Sequence, residues 1–280
     1  MHLVMILIGL SLAWGLRNYG QRPAGTWSQR WQRALVLFLA PPLSLLMTAI
    51  AILWMGPHGR MVWRWEGWLS YGLAIALLGL AVLICLKLGW DGFCTLRRMH
   101  QFPIVSVQGQ PARLLDTDEL YSARVGFWRS ELILSQGLLN QLDGEHLQAV
   151  LAHEQAHADH HDTFWFFWLG WVRRLTAWLP QTEDLWQELL ALRELRADRQ
   201  AVQTVDPLLL AEALFLVASA PLMVVNLVAA FNHQNEADRL SERVEALLSG
   251  TEVETTATDS WPLAWLLWVM VPLVVVPFHF

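Results

Sequence analysis

Four apolar runs limit what this chain can fold into: residues 1–16, 34–55, 68–88 and 262–280. Each approaches the roughly 20 residues a helix needs to cross a hydrocarbon core, where every backbone N–H and C=O must be satisfied within the segment. Composition agrees, since 55% of the 280 residues are hydrophobic and 16% charged, too apolar for an ordinary soluble domain. Trp54, Trp68, Trp90 and Trp261 sit at the ends of apolar runs, where indoles favour the water–hydrocarbon boundary. The expectation is a mostly α integral membrane protein with four transmembrane helices and the lipid bilayer as partner.

The first run lacks a basic leader and a small-x-small cleavage site, so it reads as an anchor rather than a signal peptide. Arg17, Arg22, Arg30 and Arg33 follow it, whereas residues 56–67 carry Arg60 and Arg64. An excess of positive charge marks cytoplasmic loops, which places the first loop in the cytoplasm of what we expect to be a bacterial plasma membrane. Both termini then lie outside. Three domains follow: a membrane region at 1–90, a cytoplasm-facing domain at 91–258 and a last span at 259–280. Within the middle domain, residues 163–179 contain Arg173 and Arg174, costly at a bilayer centre, and read as an interfacial or domain-packing helix. Residues 207–231 could span but carry Glu212, Pro221 and Asn226; a buried or membrane-grazing helix is the reading preferred over a fifth span. Residues 251–260 are polar and read as a linker. With 25 acids against 19 bases, and arginines clustered beside apolar segments, direct nucleic-acid binding is not expected. Cys85 and Cys94 supply neither a disulfide framework nor a cysteine zinc site.

Between residues 102 and 139 the runs "IVSV", "ARLL", "YSARVGF" and "ELILS" alternate with turn-forming residues and predict a small antiparallel sheet. From Asp143, a candidate N-cap, the chain turns helical. That helix carries "VLAHEQAHADHHD". His153 and His157 are four residues apart, on one helix face about 6 Å apart along the axis, so both imidazoles can converge on one zinc ion. Glu154, one step round, can reach metal-activated water as general base. His161 cannot complete a ladder, because it stands about 12 Å along the axis from His153 and zinc bonds are about 2 Å long. No glycine follows His157 until Gly170, so the extended motif with a glycine turn before a third histidine is also absent. A third ligand must come from elsewhere. In "LRELRADRQA" Glu194 and Asp198 are again four apart, so one carboxylate can bind the ion while the other orients an imidazole. Taken alone, the same stretch with Arg193, Arg196 and Arg199 reads rather as a solvated helix with i,i+4 ion pairs; with His153, Glu154 and His157 upstream the ligand reading is preferred. Two histidines and one glutamate leave an open coordination position, as catalytic zinc sites do.

Residues 125–248 resemble the BlaR/MecR-type membrane zinc metallopeptidases and, more distantly, the HtpX and CAAX-prenyl-protease type. The likeness rests on "GFWRSELILSQGLL", "LQAVLAHEQAHADHHD", "ELRADRQA" and "ERVEALL", in that order. It implies an α+β zincin-like metalloprotease domain between spans three and four, with one zinc ion held by His153, His157 and Glu194. It further implies Glu154 as base, with Asp198 and Asp162 in supporting positions. Gln155 departs from the usual apolar residue, and His160 and His161 from usually basic positions. Residues 163–192 are short for the membrane hairpin of the HtpX type, which favours the BlaR/MecR side. No sensor domain follows the last apolar run, so proteolysis is expected without antibiotic sensing. His233 and Arg243 are candidates by position for a transition-state donor. The implied function is a membrane-embedded zinc endopeptidase acting on a protein or peptide, such as a cytoplasmic repressor or the enzyme itself. The alternatives are a non-catalytic zinc-containing signal transducer and a broad membrane-protein quality-control protease.

Overall fold

A computed structural model describes residues 2–19, 25–57, 64–219, 234–249 and 269–274, together with residue 276. In chain order the main elements are α1 (His2–Tyr19), α2 (Trp27–Met55), α3 (Arg64–Met99), β1 (Ile104–Val107), β2 (Gln110–Leu115), β3 (Ser122–Gly126) and β4 (Ser130–Ser135). These are followed by α4 (Gln136–Gln141), α5 (Gly144–Asp159), α6 (Asp162–Leu175), α7 (Thr182–Ala201), α8 (Pro207–Ser219) and α9 (Gln234–Leu248). The chain divides into two compact units, one of Met1–Leu88, Leu169–Leu192 and Thr255–Phe280, the other of Gly89–Trp168 and Arg193–Glu254.

The first unit is helical. A capping box starts α2: the Thr26 hydroxyl accepts from the Gln29 N–H, and the Gln29 side chain accepts from the Thr26 N–H. Ala49, Ile52 and Met55 of α2 pack with Ala74 of α3 and with Met5 and Ile6 of α1. Among the described residues, α2 and α3 are long and apolar enough to cross a membrane, while α1 and residues 207–217 are shorter apolar helices. The fourth expected span and the linker before it fall mostly outside the described residues; Val271–Val274 forms a short helical turn.

Leu169–Leu192 belongs to this unit, although the sequence suggested one continuous domain from 91 to 258. The reason is apolar burial: Leu175 packs with Leu46 and Ala81, and Leu179 with Ala13 and Leu45. The Trp171 indole donates to Ala81 O at 2.8 Å and the Trp27 indole to Leu192 O at 3.0 Å. Arg173 has its charge compensated, with two bonds of 2.9 Å to Glu183 and its guanidinium over the Trp186 ring.

The second unit contains a four-stranded sheet in the order β1-β2-β4-β3. It is mixed, which corrects the expected antiparallel sheet. β1/β2 and β3/β4 are antiparallel, but β2 and β4 run parallel, with Ala112 opposite Leu132 and Leu115 opposite Ser135. After β2 the chain skips one position before laying down β3, and β4 turns back into the gap. Gly126 makes that return possible: its φ is +151° and a Cβ there would lie 2.2 Å from Arg129 O. Centrally placed, β4 is buried from Leu132 to Ser135. Its Leu132 and Leu134 join Leu138 of α4, Val150 and Leu151 of α5, and Leu210 of α8 in one core. The sheet and this core fix the face of α5 that meets β3.

Candidate metal centre

Asp143 starts α5 by accepting from the Glu145 and His146 N–H groups. Two turns on, α5 presents His153 and His157 from one face, and α7 brings Glu194 to them. His153 Nε2 and His157 Nε2 are 3.1 Å apart, and Glu194 Oε2 lies 3.4 Å from the first and 3.7 Å from the second. Tetrahedral zinc with bonds of about 2.0–2.1 Å separates neighbouring ligand atoms by about 3.3–3.4 Å. The three donors therefore form one face of such a tetrahedron, and their imidazole and carboxylate chemistry suits zinc. The side chains of His153 and His157 are 8% and 11% exposed and that of Glu194 22%, so the glutamate is the most accessible of the three donors.

Each histidine has its own aspartate at the far ring nitrogen. His157 Nδ1 lies 2.7 Å from Asp162 Oδ2, in hydrogen-bond contact. His153 Nδ1 approaches Asp198 Oδ1 to 2.9 Å, close but poorly aligned. Each aspartate is in turn braced by an arginine. Arg196 donates to Asp162, and Arg243 forks onto Asp198 through Nε at 2.7 Å and Nη2 at 2.8 Å. Both aspartate side chains are 3% exposed, so their charges depend on these partners.

The electrostatics follow from this crowding. Burial alone would push the His153 imidazole down, but Asp198 and Glu194 outweigh it and raise its pKa to about 9. His157 is raised in the same way, burial being overcome by Glu194 and Asp162. Burial would raise Glu194 and Asp198; Arg193 and His157 hold the first well below the usual carboxylate range, and Arg243 lowers the second.

Glu154 is 6% exposed and held by the sheet. Alternation along β3 turns Ser122 and Arg124 to the same side. The Ser122 hydroxyl donates to Glu154 Oε1 at 2.8 Å, while Arg124 donates through Nε to Glu154 O at 3.2 Å and through Nη2 to Gln155 Oε1 at 2.7 Å. Gln155, the departure from the family pattern, also donates to Asp159, which accepts from Gln200 of α7. One polar network thus links β3, α5 and α7.

Of the residues singled out in the sequence, the fold brings His153, His157, Glu194, Asp162, Asp198 and Arg243 together, with Glu154 beside His153 on α5. Arg243 spends its fork on Asp198, which places it as a brace behind His153. His233 lies outside the described residues. His160 and His161 form the corner between α5 and α6, where His161 adopts φ +53°, a left-handed conformation to which histidine is better suited than most side chains. That corner returns Asp162 to His157. Ser122, Arg124 and Arg196 were missed. Arg196 was read with Arg193 and Arg199 as part of a solvated, ion-paired helix face, and nothing local marked Ser122 or Arg124 before β3 was placed over α5.

Comparison with protein-family models matches residues 108–247, half of the chain, to peptidase family M48. Searches of curated proteins and of solved structures gave no match. Family M48 enzymes are zinc-dependent metallopeptidases of the HtpX/Ste24 type, and the matched residues contain the His153–His157–Glu194 triangle. The chain belongs to peptidase family M48 and is a metallopeptidase, a hydrolase of peptide bonds.

Proposed function

We propose that this chain is a membrane-embedded zinc endopeptidase whose active site faces the cytoplasm. The observation that carries the reading is the triangle of His153 Nε2 and His157 Nε2 from α5 with Glu194 Oε2 from α7, next to the buried Glu154 of α5. Zinc held there supplies Lewis-acid chemistry, acidifying water and polarising a peptide carbonyl. Asp162 holds the His157 imidazole by its Nδ1 and Asp198 stands 2.9 Å from Nδ1 of His153, which leaves Nε2 of both rings for the ion. Ser122 occupies Oε1 of Glu154 and leaves Oε2 for proton transfer. Glu154 takes the proton of the attacking water at Oε2 as the water oxygen bonds to the carbonyl carbon. It then delivers that proton to the amide nitrogen, which departs as the amine with the electron pair of the broken C–N bond. A buried, hydrogen-bonded Glu154 argues against a zinc-ordered transducer with no catalysis.

Membrane embedding is supported by α3, whose Leu73, Val82, Leu83 and Leu86 are each about half exposed or more. Trp68 and Trp90 are both exposed and stand 22 residues apart, about 33 Å along a helix, close to the roughly 30 Å hydrocarbon thickness. The cytoplasmic orientation is supported by the arginine-rich first loop with Arg17, Arg22, Arg30 and Arg33, and by Lys87, Arg97 and Arg98 near the end of α3. Four spans, with the last in residues 262–280, and a BlaR/MecR-like layout complete the proposal. The substrate class is protein or peptide, in the regulatory form a cytoplasmic repressor.

Metal analysis of the purified full chain tests the reading. One zinc per chain, peptide cleavage lost on chelation and restored by added zinc, and no metal in Glu194→Ala are expected. Cleavage that survives complete metal removal contradicts it.

A further inference from the structure

We propose that Arg193 is a positioning residue that restricts Glu194 to the metal by a single oxygen. The inference rests on the metallopeptidase reading above and adds a device to it. The two oxygens of Glu194 have different surroundings. Oε1 accepts from Arg193 Nε at 2.9 Å and Arg193 Nη2 at 2.6 Å, a two-pronged contact to one atom. Oε2 faces His153 Nε2 at 3.4 Å and His157 Nε2 at 3.7 Å, with Arg243 Nη1 at 3.6 Å.

A carboxylate held at only one point can turn to present both oxygens to an ion. The second oxygen would then take the position that catalytic zinc sites keep for water or substrate. Arg193 opposes that turn by anchoring Oε1 away from the two imidazoles. Neighbouring helix residues diverge by about 100° around the axis, so Arg193 does not face Glu194 by default. Its guanidinium is placed by the Phe166 ring of α6, whose centroid lies 4.7 Å away. Thus α6 supports two ligands, giving Asp162 to His157 and the Phe166 platform to the arginine that holds Glu194. Lysine carries the same charge but lacks the planar fork, so it cannot reproduce the contact.

The test uses the full-length protein in detergent with cobalt in place of zinc, comparing wild type, Arg193→Gln, Arg193→Lys and Phe166→Leu. Expected for both Arg193 variants is retained metal, a weaker visible d–d absorption as the coordination number rises, and kcat lowered about 10–100-fold with KM little changed. Phe166→Leu should shift the spectrum in the same direction by less. A wild-type spectrum and kcat in Arg193→Gln overturns the inference, and wild-type behaviour in Arg193→Lys shows that charge alone suffices, which overturns it too. If Arg193→Gln loses metal or fold while Phe166→Leu and Arg193→Lys keep the wild-type spectrum, Arg193 is a structural ion-pair partner and the inference falls. A wild-type chain that binds no cobalt instead removes the metal-centre reading itself.

Discussion

His153 and His157 are supported in the same way by different parts of the fold, one through Asp198 and Arg243, the other through Asp162 and Arg196. Asp162→Asn and Asp198→Asn should each weaken zinc binding about 10–100-fold, measured by competition with a chromophoric chelator, because an amide holds the ring nitrogen less firmly. Arg243→Met leaves Asp198 charged and buried, and should destabilise the protein by about 3–5 kcal/mol in denaturant unfolding; a change below about 1 kcal/mol contradicts the brace. The pairs His153/His157 and Glu194/Asp198 were legible in the sequence because i,i+4 spacing on a helix already defines a shared face, while which carboxylate turns to the imidazoles was only implied by the family resemblance. Arg196 and Arg243 were not, since an arginine on a helix reads as solvated until the buried carboxylate it meets is known. Arg243 was noticed only by position, as a candidate transition-state donor; its fork onto Asp198, 45 residues away in sequence, had no local signal.

The strands were legible as runs of β-forming residues, but their pairing was not, because pairing depends on where the chain crosses between β2 and β3. That crossover is held tightly against α4: Gly137 N–H donates to Thr117 O at 2.8 Å, and a Cβ on Gly137 would lie 2.1 Å from Asp118 O. Gly137→Ala should therefore cost about 3 kcal/mol and loosen β3, lowering activity through Ser122 and Glu154. A variant with unchanged unfolding midpoint contradicts this account of the crossover. A second element-level feature joins α5 to α8. His146 approaches Asp143 to 2.8 Å and Glu212 to 3.2 Å, and the Asp143 hydrogen bond, aided by Glu212, raises it above its ordinary 6.5. A raised folded-state pKa stabilises fully below the unfolded value and is lost as pH climbs through the folded one. Between about pH 6 and about pH 9 the wild type should lose more thermal stability than His146→Gln; equal losses would exclude the clasp.

For the whole molecule, apolar length and tryptophan placement made the helical unit legible, while its extent was not. Residues 169–192 join that unit through Leu175, Leu179 and Trp171, whose partners in α2 and α3 are far away in sequence. Orientation is testable with Cys85 and Cys94 first replaced by serine. A cysteine at Arg97 should react with an impermeant maleimide from the cytoplasmic side, and one at Glu66 from the opposite side; the reverse pattern inverts the topology. The central claim is that Glu154 moves the proton in metal-assisted peptide hydrolysis at this site. Glu154→Gln tests it most directly, with metal content and cleavage of a protein substrate measured on the same purified sample. The account predicts a full complement of zinc with hydrolysis abolished, and zinc-loaded Glu154→Gln that cleaves at the wild-type rate would contradict it.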